Sequence, residues 1–165
     1  MTVTNVEKNI EALTLTITAD LGAPIDRAWQ LWADPRQLER WWGPPTYPAT
    51  VVDHDLSKGG LVTYFMTGPE GDTPKGWWRV LEVEPPSRLE FEDGFADEGG
   101  RPNPDMPTMN IRVDLLDRLD TGTRMTIVTT FSSVSDMEKI LEMGMAEGMS
   151  AAMGQMDGIL LVETS

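Results

Sequence analysis

The chain predicts an α+β fold in which an antiparallel sheet curves around a long C-terminal helix. Three observations predict it. A period-two strand is followed at once by two short amphipathic helices. Residues 49–131 then hold six further strand patterns with no helical stretch long enough to compete. All 12 prolines lie at or before Pro107, which leaves a proline-free tail for one long helix.

The first strand rests on Leu13, Leu15, Ile17 and Ala19 alternating with Thr14, Thr16 and Thr18, a half-buried pleat rich in β-branched residues. Asp20-Leu21-Gly22 ends it. Pro24 suits the first turn of a helix, where a fixed φ and a missing amide hydrogen cost nothing, and Ala28, Trp29, Leu31 and Trp32 recur at helical spacing. Asp34-Pro35 interrupts, because a residue before proline avoids the α region. The reading is two helices, about 24–33 and 35–41, running into Trp41-Trp42-Gly43-Pro44-Pro45.

The six following strands are predicted at 49–53, 60–66, 76–83, 88–93, 108–116 and 123–131. Turn chemistry separates them: Lys58-Gly59-Gly60, Gly68-Pro69-Glu70-Gly71, Glu84-Pro85-Pro86-Ser87 and Asp120-Thr121-Gly122. The 94–107 segment, with Gly94, Gly99, Gly100, Pro102, Pro104 and Pro107, is expected as a mobile loop and a candidate lid. In the tail, Ser135 with Glu138 three residues on reads as a capping box. A stripe of Leu141, Met145, Met149, Ala152, Met156 and Ile159 then predicts one helix of about 25 residues packed on the sheet. Gly144, Gly148, Gly154 and Gly158 each cost ~1 kcal/mol relative to Ala inside a helix. Either the backbone passes close to the sheet at these points, or the missing side chains leave room beneath it.

The 165 residues fit one domain, 1–165, with its core at about 10–162. Thirteen Lys and Arg against 27 Asp and Glu give a net charge of −14, so nucleic acid and anionic membrane surfaces are not expected partners. The absence of cysteine excludes thiol nucleophiles, disulfides and thiolate metal sites. No signal-like segment opens the chain and no apolar run is long enough to span a bilayer, so a cytoplasmic location without membrane contact is expected. No phosphate-cradling glycine motif occurs, and neither a cofactor nor a metal is expected.

Alternation assigns an inward sheet face of Val62, Tyr64 and Met66; Trp78 and Val80; Leu89, Phe91 and Asp93; Met109, Ile111 and Val113; and Met125, Ile127, Thr129 and Phe131. Asp93 is the odd member. It is either an acid/base or an anchor for a ligand hydroxyl, or it is a strand-end residue reaching water beside Gly94. Six of the 11 methionines lie within Met137–Met156, where flexible thioethers either form a compliant cavity wall or simply fill an irregular core. Of the six tryptophans, Trp29, Trp32 and Trp41 read as core and Trp42 and Trp78 as a cavity rim. His54, between Asp53 and Asp55, is a poor metal ligand set and reads as a solvated strand end.

Four segments in order carry a resemblance. The run Ala23-Pro24-Ile25-Asp26-Arg27-Ala28-Trp29 through Asp34-Pro35 to Trp41-Trp42-Gly43-Pro44 resembles the opening of the SRPBCC, or START-like, birch-pollen-allergen-like superfamily. Gly59-Gly60 with Tyr64, Met66 and Gly68-Pro69-Glu70-Gly71 is similar to its second segment. Glu82-Val83-Glu84-Pro85-Pro86-Ser87-Arg88-Leu89-Glu90-Phe91 is similar to its third, and Met143-Gly144-Met145-Ala146-Glu147-Gly148-Met149 to the start of its last helix. Within the superfamily the chain resembles the bacterial single-domain homologues of the activator of the 90-kDa heat-shock protein ATPase.

The resemblance implies a helix-grip fold: a seven-stranded antiparallel sheet wrapped around the terminal helix, commonly with an apolar cavity between them. The expected function is binding of a small apolar or aromatic molecule there. The expected cavity residues are Trp42, Tyr64, Met66, Trp78, Phe91, Met109, Ile111, Phe131, Met145, Met149 and Met156. Two rival functions follow from the same superfamily. One is a polyketide cyclase or dehydratase with Asp93 and Tyr64 transferring protons. The other is a co-chaperone module, although the eukaryotic co-chaperone has an additional N-terminal domain for which this length leaves no room.

Overall fold

The computed structural model describes residues 3–118 and 122–162. Eight strands form one antiparallel sheet: β1 Val3–Asn9, β2 Thr14–Leu21, β3 Ala49–His54, β4 Leu61–Met66, β5 Lys75–Glu84, β6 Arg88–Ala96, β7 Met109–Asp117 and β8 Thr123–Phe131. Their spatial order is β1-β2-β8-β7-β6-β5-β4-β3. Helices α1 Ile25–Ala33 and α2 Pro35–Trp41 lead from β2 to the far edge, where β3 begins. The tail forms α3 Val134–Glu142, α4 Met145–Met153 and α5 Met156–Val162. This is the helix-grip arrangement, with two corrections to its expected form.

The first correction is the strand count. β1 is an eighth strand, paired with β2 from Val3 opposite Ala19 to Asn9 opposite Thr14. Six of its seven residues are exposed, so it has no apolar alternation to betray it. Its pairing runs through backbone hydrogen bonds at a sheet edge. Leu13, expected to open the next strand, instead sits in the connecting turn at φ +59°.

The second correction is the terminal helix, which is broken twice. Gly144 adopts φ +87°, a left-handed conformation that glycine enters without steric cost, and it stops α3. Gly154 stands at the end of α4. The α3 cap is Ser133, not Ser135: its hydroxyl accepts from the Asp136 amide at 3.1 Å. The break also shifts the buried stripe, which is Met137 and Ile140 in α3, then Ala146, Ala152 and Met153 in α4, then Met156 and Ile159. Leu141, Met145 and Met149 are half-buried.

Asp34-Pro35 acts as a double boundary. Asp34 is extended, at φ −98° and ψ +113°, as a pre-proline residue prefers. Its carboxylate then accepts from the Arg36 amide at 2.9 Å and caps α2. The helices are tied across the layer. Gln155 Nε2 donates to the Gly43 carbonyl at 2.7 Å, and Arg27 donates to Gln37 Oε1 at 2.6 Å and to the Ile159 carbonyl at 3.3 Å. Register shifts interrupt the ladder between Val51 and Asp53 in β3 and between Val80 and Glu82 in β5, the kind of irregularity at which a strand bends and twists more strongly.

The 94–107 segment is only partly a loop. β6 continues through Gly94 and Phe95 to Ala96, and beyond it Asp97 Oδ1 accepts from the amides of Gly99 at 2.9 Å and Arg101 at 3.0 Å. The expected turn at Asp120-Thr121 lies outside the described residues. His54 is half-buried, with Nε2 3.0 Å from the Trp32 carbonyl, which can only accept. It ties β3 to α1, which corrects the solvated strand end.

Candidate functional site

The layer between sheet and helices is solid at one end. Trp32, Trp41 and Trp78 are fully buried and interlock: Trp32 meets Trp41 edge-on at 4.7 Å, and Trp78 stacks on Phe91 at 3.9 Å. Trp41 Nε1 donates to the Leu31 carbonyl at 2.8 Å, and Trp32 Nε1 points at Met125 Sδ at 3.4 Å. At the other end the layer is hollow. A cavity of about 270 Å³ opens there.

Its floor is Tyr64 and Met66 of β4, Asp93, Gly94 and Phe95 of β6, and Met109 of β7. Trp42 and Pro44, beyond α2, close one side. The roof is Ile140 and Met143 at the end of α3, Gly144, and Met145, Gly148 and Met149 of α4. Met143 is exposed and also lines the cavity, so the mouth lies at the α3–α4 junction.

Of the residues read from the sequence, Trp42, Tyr64, Met66, Asp93, Met109, Met145 and Met149 meet around this space. Trp78, Phe91, Ile111, Phe131 and Met156 do not. They are buried in the packed core, and Trp78, expected at the rim, is covered by the edge of Trp42 at 4.8 Å. Pro44, Gly94, Phe95, Ile140, Met143, Gly144 and Gly148 are wall residues that the sequence reading missed. Phe95 was within reach, since Phe91, Asp93 and Phe95 continue one inward alternation.

Gly148 answers the question of the helical glycines. A Cβ built there meets nothing within 4 Å, so the backbone is not pressed on the sheet. The missing side chain leaves room.

The polar corner is Tyr64 with Asp93. Tyr64 Oη donates to Asp93 Oδ1 at 3.0 Å. The tyrosine is seated by Gly76, its register partner on β5: a Cβ at 76 would collide with the Tyr64 ring and hydroxyl. Asp93 is 7% exposed, so it neither reaches bulk water nor stays an ordinary acid. Burial raises its pKa from 3.8 to about 7, opposed by the Tyr64 hydroxyl and the Gly94 amide, which favour the ionised form. Burial, then the neighbouring Asp93 charge, pushes the Tyr64 phenol well above its usual value, and the nearby Trp42 indole N–H works against them. That N–H does not reach hydrogen-bond geometry. Among the described residues, Nε1 of Trp42 and of Trp78 are the buried side-chain polar atoms without a partner.

Among the described residues, no three His, Asp or Glu side chains cluster in a way that could hold a metal ion. No helix is long and apolar enough to cross a membrane.

An antiparallel sheet gripping C-terminal helices, with an apolar cavity between the two, defines an SRPBCC or START-like domain. The chain belongs to the family described as Activator of Hsp90 ATPase homolog 1-like protein, whose model matches residues 22–160. A crystal structure of a Mycobacterium smegmatis protein is 50% identical over 96% of both chains, with a TM-score of 0.88. A solution structure of an Arthrobacter aurescens protein is 48% identical over 99% of this chain and 95% of that one, with a TM-score of 0.93. The AHSA1 protein of Silicibacter pomeroyi, 20% identical over 91% of this chain and 99% of its own, shares the fold at a TM-score of 0.72. No curated protein matches the chain.

Proposed function

We propose that the chain binds a small, largely apolar or aromatic molecule bearing one polar group, in the cavity between the sheet and α3–α4. The observation that carries this reading is a 270 Å³ space walled by thioethers and rings with a single polar corner. An apolar cavity of about 150 Å³ accepts a benzene-sized guest, so this one has room for a two-ring body. Affinity would come from buried apolar area at about 25 cal/mol per Å², with Tyr64 and Asp93 setting orientation. A cytoplasmic location and one domain spanning 1–165 are part of the same proposal.

The test is titration calorimetry of naphthylmethanol into the wild-type chain and into Gly148→Leu. Saturable binding is expected in the wild type, with at least about tenfold loss in the variant at unchanged thermal stability. No binding to the wild type, or equal binding to both, overturns the proposal.

A second reading, a cyclase- or dehydratase-like enzyme, is supported by Asp93. A carboxyl held near pH 7 can accept and donate a proton under neutral conditions. The family description supports a third, co-chaperone reading, in which the −14 charge would meet a basic partner. Salt-sensitive capture of the purified heat-shock ATPase would support it.

A further inference from the structure

The cavity wall has one acid and no base. Among the described residues that line it, Asp93 is the only carboxylic acid, and no Lys, Arg or His takes part. We infer that the guest is an apolar cation: a primary or secondary amine on an aromatic or branched aliphatic body, its ammonium held by the Asp93 carboxylate beside the rings of Trp42 and Tyr64. This rests on the binding proposal above and specifies its ligand class.

The donor and acceptor count points that way. Tyr64 spends its one proton on Asp93 Oδ1, so both the phenol oxygen and the carboxylate are left with acceptor capacity. Two acceptors side by side complement an ammonium with two or three N–H groups, and the one unpartnered side-chain donor on the described wall, the Trp42 indole N–H, is left for a second polar atom of the guest. A carboxylate guest would set acid against acid. A neutral alcohol would supply one hydrogen bond and leave the buried charge uncompensated.

The surroundings suit a cation as well. Trp42 and Tyr64 stand nearly perpendicular, at 82° with centroids 5.9 Å apart, so an ammonium beside Asp93 meets aromatic surface as well as charge. Met109, Met145 and Met149 add polarizable sulfur for the apolar body. A net charge of −14 draws cations toward the protein and disfavours anions.

The inference also fixes a proton count. Asp93 is paired in register with Trp78 of β5 and Met109 of β7, faces Tyr64 of β4, and shares the cavity with Gly148 and Met149 of α4; none of these carries a charge. An arriving ammonium is therefore the one positive partner, and it favours the ionised carboxylate. Amine binding below pH 7 should expel a proton from Asp93.

Three probes with one body separate the possibilities: naphthylmethylamine, naphthylmethanol and naphthoic acid, titrated calorimetrically at about pH 8, where Asp93 is mostly ionised. The amine should bind at least about tenfold tighter than the alcohol, as expected for a hydrogen bond to a charged partner, and the acid weakest. Asp93→Asn should abolish the amine's advantage, so that amine and alcohol bind equally within the variant. At about pH 6, titrations in two buffers of different ionisation enthalpy should show close to one proton released on amine binding to the wild type. Alcohol binding as tight as amine overturns the cation inference and leaves the cavity proposal standing. An amine preference that survives in Asp93→Asn also overturns it, by assigning the selectivity to the overall field. Binding of none of the three removes the cavity proposal with it. Should Asp93→Asn fail to fold, the wild-type ranking and proton count still decide.

Discussion

The two ends of the layer between sheet and helices use opposite materials. Around Trp32, rigid indoles meet edge to face, and two of them, Trp32 and Trp41, direct their N–H groups at named acceptors. Around Met149, flexible thioethers and a glycine leave a hollow beside a buried acid. The difference teaches how one continuous apolar layer can hold the fold at one end and remain open at the other. Rings with few rotamers fix relative positions, whereas unbranched side chains tolerate a variable neighbour.

The sharpest way to break that comparison is truncation at each end. Trp32→Ala should cost about 3–5 kcal/mol in urea unfolding, because the tightly packed surroundings cannot collapse into the space. Met149→Ala, on a wall that is already half open, should cost less than about 2 kcal/mol. Equal costs would mean that the hollow end supports the fold as much as the indole end.

The acid offers the next contrast. The folded pKa of Asp93 lies above its unfolded value, so between about pH 4 and 7 the native state holds a proton that the unfolded chain has lost. Its contribution to stability is therefore fullest below pH 4 and is lost as pH rises, by about 1.4 kcal/mol per unit across that window. Asp93→Asn should remove this slope in urea titrations taken at several pH values. A slope unchanged in the variant would place the acid in water after all.

The smallest effect belongs to Gly148. Replacing it with alanine in open space should stabilise the chain by up to about 1 kcal/mol, read as a rise in thermal midpoint. Destabilisation would show that the roof is closer to the sheet than the geometry allows.

What was legible in the sequence divides along the same line. The alternation in β2 and in β4 to β8, and the Asp34-Pro35 boundary, mark their elements because each has one buried face or one local steric rule. β1 lacks such a face, since six of its seven residues are exposed and Val3 alone of the seven packs against the core. The helical stripe from Leu141 to Ile159 assumes a constant 100° step, and the left-handed turn at Gly144 resets that phase, so Ile140 rather than Leu141 goes inward. Tyr64, Asp93 and Met109 could be placed on the inward face, yet periodicity does not say how far along a strand packing ends and a hollow begins. That limit placed Phe91, Ile111 and Phe131 on the cavity wall when they belong to the solid core behind it.

Gly76 gives the polar corner a control point that lies off the cavity wall. The Tyr64 phenol occupies the space where any side chain at 76 would begin, so a single methyl group there would force the ring to shift and disturb its hydrogen bond to Asp93. A change in the strand behind the chamber would therefore remake its polar corner, with the identity of every wall residue left as it was.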